Sequence, residues 1–284
     1  MNPFDFRGPD FLIFYFVVAV VVCLALYWRR RLRESGPLPT LELNDPYLFA
    51  FLQEGVKQVQ TAGTISLVDR GLLTIGGNFL TAAPEAIAKC RNSKIEVEIL
   101  QFFRTPHTFQ ELLRSAPQWE ELCRNYKEIL QSNKLLPDVA VTRERGRWLG
   151  AAALVLIGTA VLKIIIALGR GRTNVGFLVV LAFIAVVLSV KASLSRRTIL
   201  GDKYLASIRK LFADFRTGST AIQPGGATQE LLWLTALFGV TAVPQSVFPF
   251  VSNFLPAAGS HGGADGGGGG CGGGCGGGCG GCGG

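Results

Sequence analysis

Charge is scarce in this chain: Asp, Glu, Lys and Arg make up 17% of it, against 49% hydrophobic residues. The mean hydropathy is +0.35. That balance points away from a water-soluble enzyme and toward a membrane protein. Histidine is scarcer still, at two residues. The region between the apolar runs holds only His107, which follows Pro106 at an expected helix start, where a local structural role is the default. No nucleophile elbow, phosphate loop or paired metal ligands occur there, so the sequence argues against catalysis. No basic segment precedes the first apolar run and no small-residue cleavage site follows it. The run is therefore expected to stay as an anchor.

A disulfide framework is missing too. Of seven cysteines, Cys23 lies inside an apolar run, and Cys90 and Cys123 stand alone. Those three read as small buried hydrophobes. The other four, Cys271, Cys275, Cys279 and Cys282, fall in a tail, residues 259–284, in which eighteen positions are Gly. The tail has no apolar side chain larger than Ala264. It cannot bury a core and is expected to be disordered.

The net charge of +8 does not make a nucleic-acid footprint. Residues 40–142 carry ten basic and twelve acidic side chains. The excess sits beside the apolar runs, at Arg29, Arg30, Arg31 and Arg33, at Arg143, Arg145 and Arg147, and at Lys191, Arg196 and Arg197. Positive charge there orients spans and meets anionic headgroups. A nucleic-acid partner is not expected.

Three transmembrane helices follow from the apolar runs. Phe11–Trp28 holds no charge over eighteen residues, about the hydrocarbon thickness as a helix. Trp148–Leu168 has one charge, Lys163, near its far end, where it can snorkel. A short connector, residues 169–174, makes Val175–Val190 return antiparallel. The basic clusters place the N-terminus outside and residues 29–147 in the cytoplasm. Two arginines in the outer connector, Arg170 and Arg172, oppose the rule and are outvoted.

After a Pro-containing linker at 34–41, Asp45 is the expected N-cap of a helix that starts at Pro46 and ends near Gly55. A second helix should run from about Val56 to Val68 and stop at Gly71. Leu72–Ile75, Gly76–Asn78 and Phe79–Thr81 read as strand, turn, strand. Helices followed by such a hairpin suggest a small winged-helix-like unit, serving protein contact or structure. A second copy would have helices over 95–103, 108–115 and 117–132. The phrase Leu130-Gln131-Ser132-Asn133-Lys134-Leu135-Leu136 echoes Leu67-Val68-Asp69-Arg70-Gly71-Leu72-Leu73.

Lys203–Arg216 is amphipathic and suits either the inner leaflet or the soluble region. A Gly/Pro break follows at 223–226. Leu231–Leu255 is apolar but holds Pro244 and Pro249, and no Lys or Arg follows Arg216 to anchor its ends. It reads as two short helices, about 228–240 and 245–255, or as a fourth span that would move the tail outside.

The assembled pattern resembles an uncharacterised family of bacterial membrane proteins. The residues that carry the resemblance are Asn2-Pro3-Phe4-Asp5, Asp45-Pro46-Tyr47, Arg70-Gly71-Leu72-Leu73, Val175-Gly176-Phe177-Leu178 and the Gly/Cys tail. It implies bacterial origin and a place in the inner membrane. It brings no catalytic residues.

The expected plan is an N-terminal segment and first span (1–28), a cytoplasmic helical region (29–147) and a membrane hairpin (148–190). Amphipathic and apolar helices (191–258) and the tail (259–284) complete it. The tail spacing is Cys-x3-Cys-x3-Cys-x2-Cys, with His261 and Asp265 upstream. Four thiolates suffice for Zn²⁺ or Cu(I). The spacing lacks the long loop of structural zinc sites and matches neither common ferredoxin pattern. Gly-flanked thiols on an open strand also suit a cysteine-modifying enzyme that takes the tail as a substrate, as in modified-peptide precursors. A third reading is a plain tether or scaffold contacting a membrane partner protein.

Overall fold

The computed structural model describes residues 8–41, 43–90, 93–169, 176–213 and 229–254. Residues 1–7, the connector at 170–175, the break at 223–226 and the tail with its four cysteines lie outside them. The chain is mostly helical.

Three helices are long and apolar enough to cross a membrane. Helix α1 runs Gly8–Glu34, α9 runs Val139–Gly169 and α10 runs Gly176–Ser193. At 1.5 Å per residue, α1 is about 40 Å long and outruns a ~30 Å hydrocarbon core. Its surplus is the basic end. Likewise α9 begins nine residues before Trp148, so Arg143, Glu144, Arg145 and Arg147 ride on the same rigid helix. The three pack around Phe11, Tyr15, Ala19, Leu156, Ala160, Leu178 and Ala185. The alanines let backbones approach where lipid supplies no hydrophobic drive. Tyr15 donates its hydroxyl to the Leu156 carbonyl at 3.0 Å. Lys163 lies with Nζ 4.5 Å from the Phe11 ring centre.

Between α1 and α9 lies a compact region of short helices and a small sheet. Helix α2 (Pro46–Glu54) starts at the expected cap, with the Tyr47 N–H donating to Asp45 Oδ1 at 2.9 Å. Helix α3 (Val56–Asp69) leads into strands β1 (Leu73–Gly76) and β2 (Phe79–Ala82). The hairpin register pairs Gly76 with Phe79. Short α4 (Ala86–Lys89) and α5 (Lys94–Phe102) follow. Strand β3 (His107–Thr108) then adds to β2 antiparallel, giving the order β1-β2-β3. A two-residue strand has too little pattern to be read from sequence. The stretch expected as one helix over 117–132 is two, α7 (Ala116–Trp119) and α8 (Arg124–Ser132). The turns between them let both Trp119 and Cys123 bury in the core. Helix α6 (Phe109–Arg114) precedes them.

The echo between the two phrases is a shared helix ending. The Leu72 N–H bonds the Leu67 carbonyl and the Gly71 N–H bonds that of Val68, at 2.9 and 3.0 Å. The Leu135 N–H bonds the Leu130 carbonyl and the Lys134 N–H bonds that of Gln131, both at 2.9 Å. Both are Schellman caps. The left-handed residue is Gly71 (φ 68) in one and Lys134 (φ 58) in the other.

The core is completed by chain beyond the spans. Helix α11 (Ile199–Leu211) buries Leu200, Tyr204, Leu205 and Ile208, so its apolar face meets protein. Helix α12 (Glu230–Phe238) and a 3₁₀ turn at Pro249–Phe254 join the same cluster. Phe49 lies between Tyr204 and Trp233, at 6.4 and 5.6 Å. Phe254 meets the Phe109 ring edge-to-face at 4.7 Å. The stretch weighed as a fourth span is therefore core. Described residues that precede α9 and that follow α10 thus share one core.

Candidate functional site: the junction of the long helices with the soluble core

The ends of α1, α9 and α10 meet the soluble core at one buried carboxylate, Glu34, which is 8% exposed. Arg145 from α9 donates to its Oε1 through Nε at 2.8 Å and lies within 2.7 Å through Nη2. Arg30, one turn back on α1, lies 3.5 Å from the same oxygen. The Ile199 N–H, opening α11, donates to Oε2 at 3.1 Å. Arg145 spends its other donors on the carbonyls of Ser195 and Arg197. Thus the Glu34–Arg145 pair binds α1, α9, the residues just after α10 and the start of α11. A charge buried this deeply is tolerated because it is paired and its lone pairs are used.

Around this clasp the same helices carry further ion pairs. Glu144 bonds Arg29, and Arg33 lies 3.9 Å away from it. Arg29 covers the Trp148 ring at 4.0 Å. On the core side, Thr198 caps α11 and donates Oγ1 to the carbonyl of Lys134 at 2.7 Å. Gly201 presses against Leu135, whose carbonyl oxygen would lie 2.3 Å from any Cβ there. Only glycine permits that approach. A cleft of about 560 Å³ opens alongside, lined among others by Phe51, Glu54, Lys57, Glu120, Arg124 and Arg196. Charges of both signs interleave along it and give no preference for an ion.

A second buried carboxylate, Glu96, sits inside the core. It accepts from the Tyr47 hydroxyl at 2.9 Å and from Arg70 at 2.6 Å. Nearby Cys90 is a poor nucleophile: burial first, then Glu96, push its thiol up to about 11. Burial alone pushes Cys123 up to about 11. Both behave as the buried hydrophobes the sequence suggested. His107 is held by Thr105 and Glu111, at 2.9 and 3.0 Å, beside the Thr108–Glu111 capping box. The Thr108 N–H and His107 together hold the Glu111 carboxyl below its ordinary range.

The chain matches no known protein family, no curated protein and no solved structure. Among the described residues no group of three or more His, Cys, Asp or Glu is placed to hold a metal. The sequence-derived ligands Cys271, Cys275, Cys279 and Cys282 lie outside those residues. What sequence reasoning missed is Glu34. In the sequence it opens the Pro-containing linker, among arginines that serve as orientation signals. Its mark is an acid directly after an arginine run, four residues beyond Arg30.

Proposed function

We propose that this is a membrane-anchored, non-enzymatic scaffold of the bacterial inner membrane. It has its N-terminus outside and a Gly/Cys-rich tail in the cytoplasm, where Cys271, Cys275, Cys279 and Cys282 bind Zn²⁺ or Cu(I) as thiolates. The observation that carries this reading is the docking of residues 230–254. They end in the core that residues 46–136 build, with Phe254 buried. The 30 residues that follow therefore start from the soluble side, which the basic clusters assign to the cytoplasm. Thiols there stay reduced and available. The helix pair and hairpin at 46–82 act as a winged-helix-like contact unit. With acids outnumbering bases over 40–142, its partner is a protein rather than a nucleic acid.

The test is titration of the full chain in detergent with Cu(I) and Zn²⁺ against a chelator of known affinity, beside a variant with the four tail cysteines changed to Ser. Native protein should compete better, and more so as pH approaches the thiol pKa of ~8.5. Equal competition by both proteins overturns metal binding. Intact mass of protein from native membranes then separates the other readings. Added mass on the tail marks a cysteine-modifying enzyme, and an unmodified tail marks a tether.

A further inference from the structure

Arg29 and Arg33 stand one turn apart on the basic end of α1, facing α9. With Leu26, Trp148 and Glu144 they line a small cleft of about 40 Å³. That volume holds about three waters, the size of a phosphate's oxygens rather than of an acyl chain. Its lining is strongly unbalanced. Four guanidinium groups, those of Arg29, Arg30, Arg33 and Arg145, face two carboxylates, Glu34 and Glu144. Glu34 is consumed by Arg145, Arg30 and the Ile199 N–H. Glu144 is shared between Arg29 and Arg33, and the Arg33 side chain is 69% exposed. The cleft thus keeps two positive charges without acids to balance them.

Depth specifies the anion. Trp148 flanks the cleft, and Tyr27 and Trp28 are exposed at the same level of α1. Such aromatics sit at the boundary of hydrocarbon and water. Two turns along α9 from Trp148, on the same face, Val155 is exposed, so apolar surface follows the aromatic ring along the helix. An anion at this place with acyl chains beside it is a phospholipid. We propose that the Arg29–Arg33–Trp148 cleft is a binding site for the phosphate of an anionic phospholipid. Basic pockets between helix ends hold such headgroups through paired guanidinium contacts. The site rests on the membrane reading and is independent of the tail.

The test uses the full chain, delipidated in a neutral detergent, with added phosphatidylglycerol or phosphatidylcholine, read by native mass spectrometry and by thermal unfolding. Phosphatidylglycerol should be retained preferentially and should raise the melting temperature. R29Q/R33Q should weaken that binding roughly tenfold, while R31Q, outside the cleft, should leave it unchanged. Should the double variant fail to fold, R33Q alone carries the same comparison. Equal retention of the two lipids overturns the site, as does equal loss in R31Q, which would mean diffuse attraction. Displacement of the lipid by millimolar inorganic phosphate overturns the lipid assignment in favour of a soluble anion. A chain that stays monodisperse without detergent would instead remove the membrane reading itself.

Discussion

Glu96 and Glu34 are the same device put to different uses. Each is a carboxylate less than a tenth exposed and held by arginine. Glu96 ties Tyr47 and Arg70 within one core, and Arg70 remains 29% exposed. Glu34 ties α1 and α9 to the start of α11, and Arg145 is only 6% exposed. The first fastens neighbours that apolar packing already holds. The second lies at the ends of the long helices, between the two apolar clusters. Burial of the partner, rather than of the acid, therefore sets what each pair is worth.

The largest expected effect follows at the junction. Glu34→Ala leaves Arg145 buried without its acid and should cost about 3–5 kcal/mol, read by chemical unfolding in detergent. Adding Arg145→Met should recover part of that loss, since it removes the stranded charge. A cost below ~1 kcal/mol would erase the contrast with the core.

Glu96→Gln should cost less, about 1–3 kcal/mol, because water reaches Arg70. It should also unsettle Cys90, into whose Sγ Arg70 points at 3.7 Å. The Cys90 thiol, pushed up to about 11 by burial and Glu96, titrates higher in the folded chain than in the unfolded one. The corresponding stability is whole below pH 9 and is lost as pH rises through 11. Alkylation of Cys90 should therefore be slow near pH 8 in the wild type and faster in Glu96→Gln, followed by peptide mass mapping. Equal rates would show that Glu96 does not hold this corner.

The helix caps sharpen the same contrast on a smaller scale. Gly71 serves the core's hairpin, whereas Lys134 serves the junction through Thr198. A Cβ at Gly71 would meet nothing within 4 Å, so Gly71→Ala tests the backbone alone and should cost about 1 kcal/mol. Lys134→Gly should gain about as much by thermal unfolding. No gain would mean that the junction compensates for the left-handed lysine.

The elements written in local pattern were legible. The three long apolar runs, the Asp45 cap and the hairpin at Leu73–Ala82 all lie where periodicity and turn chemistry put them. Contacts across the chain were not. Within residues 230–254 only Pro244, Pro249 and the lack of flanking Lys or Arg argue against a span, because core and membrane ask for the same apolar side chains. Packing against Phe49 decides it. Glu34 was hidden for a related reason: apart from Arg30, its partners lie more than a hundred residues away. The tail ligands remain a statement about spacing.

The division of one core between 46–136 and 199–254, with a helical hairpin threaded between, imposes an order on biosynthesis. The ribosome delivers Phe49 and its neighbours first, then both helices of the hairpin, and only then Tyr204, Trp233 and Phe254. Until the hairpin is made, the first half waits with an uncovered apolar face, the kind of surface chaperones recognise. The core is thus completed only on a chain whose hairpin has already been made.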